Sequence, residues 1–212
     1  VERLFKGTVK FREISYQKNK ELYERLNHGQ TPHTLFVGCS DSRVVPGLIT
    51  RSLPGELFVV RNVANIVPPY RVSPEYASTT SAIEYAVNAL NVENIVVCGH
   101  SNCGGCAALF YEKEKLENLP NVSHWLEQVE GLRNEILFKH PNVSPERRSE
   151  ITEQLNIVKQ MANLLSYPYI REKYEKGEIN IYGWYYIIGT GEVYNFNKDN
   201  GEFELIQEEE EE

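Results

Sequence analysis

Three short runs of the chain are almost continuously apolar and rich in β-branched residues: Thr34 to Gly38 (TLFVG), Glu56 to Val60 (ELFVV) and Asn94 to Cys98 (NIVVC). Runs without polar alternation, each followed by turn or polar residues, predict strands buried in a parallel sheet. Between the second and third, Ala82, Ile83, Ala86, Val87 and Leu90 recur at helical spacing over Ser78 to Leu90. Strand, helix, strand in that order predicts a right-handed crossover. A fourth strand is expected over Ile179 to Ile188, continuing into a hairpin through Gly189 to Gly191. The stretch before it reads as helical, with Trp125, Val129, Leu132 and Ile136 as one apolar stripe and Ile151, Leu155, Val158, Ala162 and Leu165 as another, separated at Pro141 to Pro145. The segment up to about Asn27 is amphipathic, with Leu22, Tyr23 and Leu26 on one side, and reads as an arm that packs on a partner subunit.

No internal repeat or flexible linker interrupts this order. The expected fold is α/β, a mostly parallel central sheet of about four strands flanked by helices, with an N-terminal helical arm. It is read as a single domain over 1–207, the arm being 1–27, followed by an acidic tail over 208–212 expected to be disordered.

The 212 residues suit one hydrophobic core without disulfide support. No apolar run approaches the ~20 residues of a membrane helix, so no membrane partner is expected. The net charge of -8 includes five charges from Glu208 to Glu212, and the remaining -3 leaves no basic face for nucleic acid. The chain does not open on a basic segment followed by an apolar one, and the cytoplasm is the expected compartment.

The four cysteines are Cys39, Cys98, Cys103 and Cys106. In a chain of this length a close Cys/His cluster points to metal binding or redox chemistry more than to structural bridges. Cys39 follows the first strand, and His100 and Cys103 follow the third, where loops diverge beyond the carboxyl ends of parallel strands. Two loops can then share one metal. The spacing His100-x-x-Cys103 places both side chains on one turn, and two sulfurs with one imidazole suit zinc while leaving a coordination position for water. Asp41, two residues after Cys39, can bind the ion directly or accept a hydrogen bond from its water. Cys98 is expected to point into the core, and Cys106 to pack under the helix that starts at Cys103. Cys103-Gly-Gly-Cys106 is also a CxxC motif, so a thiol oxidoreductase is a rival reading, but it leaves Cys39 and His100 unexplained. A non-enzymatic zinc protein with Cys39, Asp41, His100 and Cys103 all on the metal is another.

Four ordered motifs carry a family resemblance: Cys39-Ser-Asp-Ser-Arg43, Pro54-Gly-Glu-Leu-Phe58, Arg61-Asn-Val-Ala-Asn65 and Gly99-His-Ser-Asn-Cys103-Gly-Gly105. From about Gln30 to Cys106, with an echo at Gly183-Trp-Tyr-Tyr186, the chain resembles β-class carbonic anhydrases. The resemblance implies reversible hydration of CO2 to bicarbonate and a proton by zinc-bound hydroxide, with one zinc per subunit on Cys39, His100 and Cys103. It implies that Arg43 holds Asp41 ionised and turned from the metal beside the reacting oxygen. It also implies a substrate pocket of Gln30, Phe58, Tyr85 and Gly104, partly supplied by a partner subunit, and hence a homodimer or homotetramer. The match at Tyr85 needs one inserted residue in the Tyr70 to Tyr76 loop. Bicarbonate-regulated members carry a tryptophan three residues before the first cysteine ligand, where this chain has Phe36, so the permanently open, type I-like members are the nearer resemblance. Two thiolates neutralise the metal's charge, so activity is expected to rise into mildly alkaline pH.

Overall fold

A computed structural model describes residues 1–72 and 77–207; the expected tail over 208–212 and part of the Tyr70 to Tyr76 loop lie outside the described residues. The strands are β1 (Thr34–Cys39), β2 (Leu57–Asn62), β3 (Asn94–His100), β4 (Asn180–Tyr186), β5 (Val193–Phe196) and β6 (Phe203–Leu205). They form a single sheet in the order β2-β1-β3-β4-β5-β6. The first four are parallel, and β4, β5 and β6 pair antiparallel. The parallel part is the sheet the apolar runs predict. β5 is the return strand of the hairpin expected through Gly189 to Gly191, while β6 goes beyond the expected sheet because it is short and mostly exposed, so no apolar run announces it.

Helices cover the rest: α1 (Glu2–Lys10), α2 (Tyr16–Lys18) and α3 (Lys20–Leu26) in the N-terminal segment, α4 (Pro46–Ile49) after β1, and α5 (Ala77–Glu84), which runs into a π-helical turn at Tyr85–Ala89. Then come α6 (Gly104–Ala108), α7 (Lys113–Leu116), α8 (Pro120–Leu126), α9 (Glu130–Lys139), α10 (Pro145–Leu164) and α11 (Pro168–Glu175). No residue of α1, α2 or α3 is buried, and Leu4, Phe5 and Ile14 are exposed. The arm bends at Asn19, where the backbone leaves helical geometry, and Tyr23 meets Phe11 and Tyr16 across the bend.

The core lies between the sheet and α10, around Leu35, Val37, Ile95, Val97, Ile157 and Leu164. Two glycines allow the close approach. A Cβ on Gly99 would stand 2.7 Å from Ile157 Cγ1, and one on Gly183, in the neighbouring strand, would meet Ile157 and Met161.

The inward face of α10 differs from the expected stripe. Of Ile151, Leu155, Val158, Ala162 and Leu165 only Ile151 is buried, and Ala162 is exposed. The helix instead buries Glu153, Asn156, Gln160 and Asn163 beside Ile157, Met161 and Leu164. Buried amides are tolerated when each finds a partner, and the partners are backbone groups after β2. Asn156 Nδ2 donates to the Ala64 carbonyl at 2.8 Å, Gln160 Oε1 accepts the Val67 N–H at 2.9 Å, and Asn163 Nδ2 donates to the Val67 carbonyl at 2.8 Å. Tyr167 adds a hydrogen bond to the Pro68 carbonyl at 2.8 Å. Ala64 and Asn65 are left-handed, at φ 61° and 45°, so this turn cannot satisfy its own backbone in a regular ladder.

Candidate metal centre

Cys39 ends β1, His100 ends the adjacent β3, and Cys103 follows three residues later as the residue that caps α6. Parallel neighbours put both loops at the same sheet edge. The ligand atoms of Cys39, His100 and Cys103 lie within 4.8 Å of one another, all three residues being buried. The two sulfurs are 3.9 Å apart, close to the edge of about 3.8 Å that a tetrahedron with Zn–S bonds of ~2.3 Å requires.

His100 is fully buried. Its Nδ1 stands 3.0 Å from the Ser101 carbonyl, which makes Nδ1 the proton-bearing nitrogen. Nε2 is then a bare lone pair, buried without a hydrogen-bond partner. An orphaned ring nitrogen facing two thiols would be costly on its own, and it is the arrangement a zinc ion completes. The residues fit the metal.

Metal-free, the two thiols hold their protons. Cys39 is pushed up to about 12, first by its hydrogen bond with Cys103 and then by burial. Cys103 is also pushed up to about 12, chiefly by its hydrogen bond with Cys106. Cys98 is fully buried among Phe36, Val96, Trp184 and Tyr186, and Cys106 is buried in α6; neither belongs to the ligand group.

Beside the metal position, Asp41 Oδ1 accepts the backbone N–H of Arg43 at 3.0 Å and its Nε–H at 2.8 Å, while Oδ2 accepts Nη2–H at 2.7 Å. The guanidinium hydrogen bonds hold the Asp41 carboxyl well below the usual carboxylate range. Oδ2 also faces His100 Nε2 at 3.8 Å, beyond hydrogen-bond range. The expected charge pair is therefore present in its forked form, with one carboxylate oxygen beside the ligand nitrogen.

Of the expected pocket residues, Gly104 stands next to Cys103 with open space where a Cβ would go. Phe58 and half-exposed Tyr85 contact each other, ring centroids 5.9 Å apart. They do not meet Cys39 in this chain. Phe58 pairs with Leu35 and Asn62 pairs with Cys39, so at ~3.3 Å per residue Phe58 lies about 13 Å back along the sheet. Gln30 precedes β1 and is exposed.

Four hydrogen bonds made by three residues were not legible in the sequence. Arg61 on β2 donates from Nε to the Cys39 carbonyl at 2.9 Å and from Nη2 to the Asp41 carbonyl at 2.7 Å, holding the first ligand loop. Arg43 Nη2 also reaches the Asn102 carbonyl. Glu153 of α10 accepts the Cys103 N–H. The one available signal for Glu153 was its place in a polar stripe with Asn156, Gln160 and Asn163, a pattern ordinarily read as a solvated face.

The carbonic anhydrase family model matches residues 34–193. A carbonic anhydrase of Helicobacter pylori (strain J99) is 44% identical over 208 residues, covering 96% of this chain and 94% of that protein. One from Synechocystis sp. is 42% identical over 193 residues, covering 91% of this chain and 70% of that one. Among solved structures, the β-carbonic anhydrase CcaA superposes with a TM-score of 0.93 at 40% identity, over 97% of this chain and 92% of that one. A tetrameric β-carbonic anhydrase of Sordaria macrospora superposes with a TM-score of 0.82 at 30% identity, over 92% and 96% of the two chains.

Proposed function

This chain belongs to the β-class carbonic anhydrases and catalyses reversible hydration of CO2 to bicarbonate and a proton with zinc, and we propose that Cys39, His100 and Cys103 hold that zinc while Asp41 and Arg43 orient the reacting oxygen. The observation that carries this reading is the buried, unpartnered Nε2 of His100 facing the two thiols. Zinc bound there supplies Lewis acidity, lowering the pKa of a coordinated water toward ~7.

The chain's own residues do the rest. Asp41 stays ionised under the Arg43 fork, so it remains a hydrogen-bond acceptor for the attacking oxygen and fixes which lone pair faces CO2. Because Arg43 occupies both Asp41 oxygens, the carboxylate is kept turned toward the guanidinium and would not itself serve as a metal ligand. This supports the permanently open, type I-like reading, as does Phe36, fully buried where regulated members have tryptophan.

Gln30, Phe58 and Tyr85 lie away from Cys39 within one chain, which favours their serving the site of a second copy. The exposed apolar side chains of the arm and the free edge of β2 are surfaces such a copy can cover. A homodimer is the smallest unit this requires, and a homotetramer is compatible with it. No described helix is long and apolar enough to cross a membrane.

Stopped-flow CO2 hydration by the zinc-loaded protein, from about pH 6.5 to about pH 9, tests the open reading. A single smooth rise is expected. A steep cooperative shut-off on the acid side would show Asp41 displacing water from the metal, and silence at every pH would remove the proposed site.

A further inference from the structure

The residue that receives Cys103's backbone N–H is a buried carboxylate supplied by a helix outside the motif-bearing segment. Glu153 is 2% exposed. Its Oε1 accepts the Cys103 N–H at 2.9 Å and the Ser149 hydroxyl at 2.9 Å, and its Oε2 accepts the Tyr185 hydroxyl at 2.7 Å. No ion pair compensates it among the described residues.

Burying a carboxylate without a cation is expensive, and α10 shows how it could be avoided. At Asn156, Gln160 and Asn163 the same helix meets backbone groups with neutral amides. Only the position aimed at the metal loop carries a charge. Three donors from the ligand loop, α10 and β4 also fix the carboxylate in one orientation. Ile157, one turn further along α10, seats on Gly99 beside His100, so the helix that carries Glu153 is held directly against the ligand strand.

We propose that Glu153 is a positioning residue for the metal centre: its carboxylate anchors the Cys103 backbone N–H with a charge-assisted hydrogen bond and so sets the direction of the Cys103 sulfur. This rests on the zinc reading above. The anchor acts on metal retention, because a fixed amide sets where the Cys103 sulfur points and a charged acceptor holds that amide more tightly than a neutral one. Outer partners of ligands commonly change metal affinity by about 10- to 100-fold.

Glu153→Gln is the decisive variant, since it keeps size and an acceptor oxygen while removing the charge. Zinc release to a chelator, the thiolate-to-metal band of the cobalt(II)-substituted protein, and urea unfolding of the metal-free protein are measured for both forms. Glu153→Gln should release zinc at least threefold faster, on the order of tenfold, with a shifted cobalt band. Its metal-free stability should equal or exceed that of the unsubstituted protein, because an uncompensated charge has gone. Zinc release changed by less than threefold overturns the proposal. So does faster release matched by a parallel loss of metal-free stability, the sign of a merely structural role. Failure of the unsubstituted protein to hold zinc would instead remove the zinc reading itself.

Discussion

Arg43 ties one ligand loop to the other: its Nη2 donates to the carbonyl of Asn102, 59 positions further along the chain, at 3.0 Å. The same nitrogen binds Asp41 Oδ2. One guanidinium thus sets both the direction of the Asp41 carboxylate and the distance between the loops that carry Cys39 and Cys103. Replacing Arg43 by alanine should lower kcat by at least ~100-fold, the scale on which small misplacements act, while zinc content stays near one per chain. Lysine should not restore activity, since a point charge cannot make the fork. Near-normal turnover in Arg43→Ala would refute the assigned role.

Zinc binding should be strongly pH-dependent. Both Cys39 and Cys103 are pushed up to about 12 without metal, so each zinc displaces two protons near neutrality. Apparent affinity should then climb by up to ~100-fold per pH unit. Chelator competition at two pH values measures it, and a pH-independent constant would contradict the protonated thiols.

The same shifts give metal-free stability the opposite trend. The folded state keeps thiol protons that the unfolded chain gives up above about 8.5. Native protein then binds more protons than unfolded protein, so stability falls as pH rises through that value. Urea midpoints of the metal-free protein should be lower at alkaline pH than near neutrality; a rising midpoint would exclude the buried protonated pair as a dominant contributor.

The cysteines should divide into two groups. Cys39→Ser, His100→Ala and Cys103→Ser should each lose most bound zinc by elemental analysis. Cys98→Ala should keep zinc and activity, because Cys98 packs with Phe36 and Trp184 away from the ligand group, at a stability cost of about 1 kcal/mol. Zinc loss in Cys98→Ala would require a different ligand set.

Asn163→Ala should destabilise the protein by about 1–3 kcal/mol, since it leaves the Val67 carbonyl and Gln160 Oε1 each short of a donor. Denaturant unfolding measures this, and a change below ~0.5 kcal/mol would mean these bonds contribute little.

The parallel strands were legible because buried strands leave uninterrupted apolar runs, and the clustering of Cys39, His100 and Cys103 was legible because they sit where those runs end. β5 was legible only as the return strand of the hairpin through Gly189 to Gly191, and β6 was not: FEL is short, mostly exposed and carries a glutamate. The rotation of α10 was hidden for a related reason. Periodicity assumes that polar residues face water, but Asn156, Gln160 and Asn163 face the irregular turn after β2, whose left-handed Ala64 and Asn65 need their donors and acceptors. Glu153 was out of reach because its partner, Cys103, lies 50 residues away.

The bare surfaces of Gly99 and Gly183 leave nothing compressible between α10 and the sheet. Any programme that raises heat resistance by swapping glycine for alanine will therefore meet two classes of site in this enzyme. In α9, Gly131 has free space and can gain from a methyl group. At Gly99 the same methyl would lever the helix outward and detune catalysis from a residue that touches neither metal nor substrate.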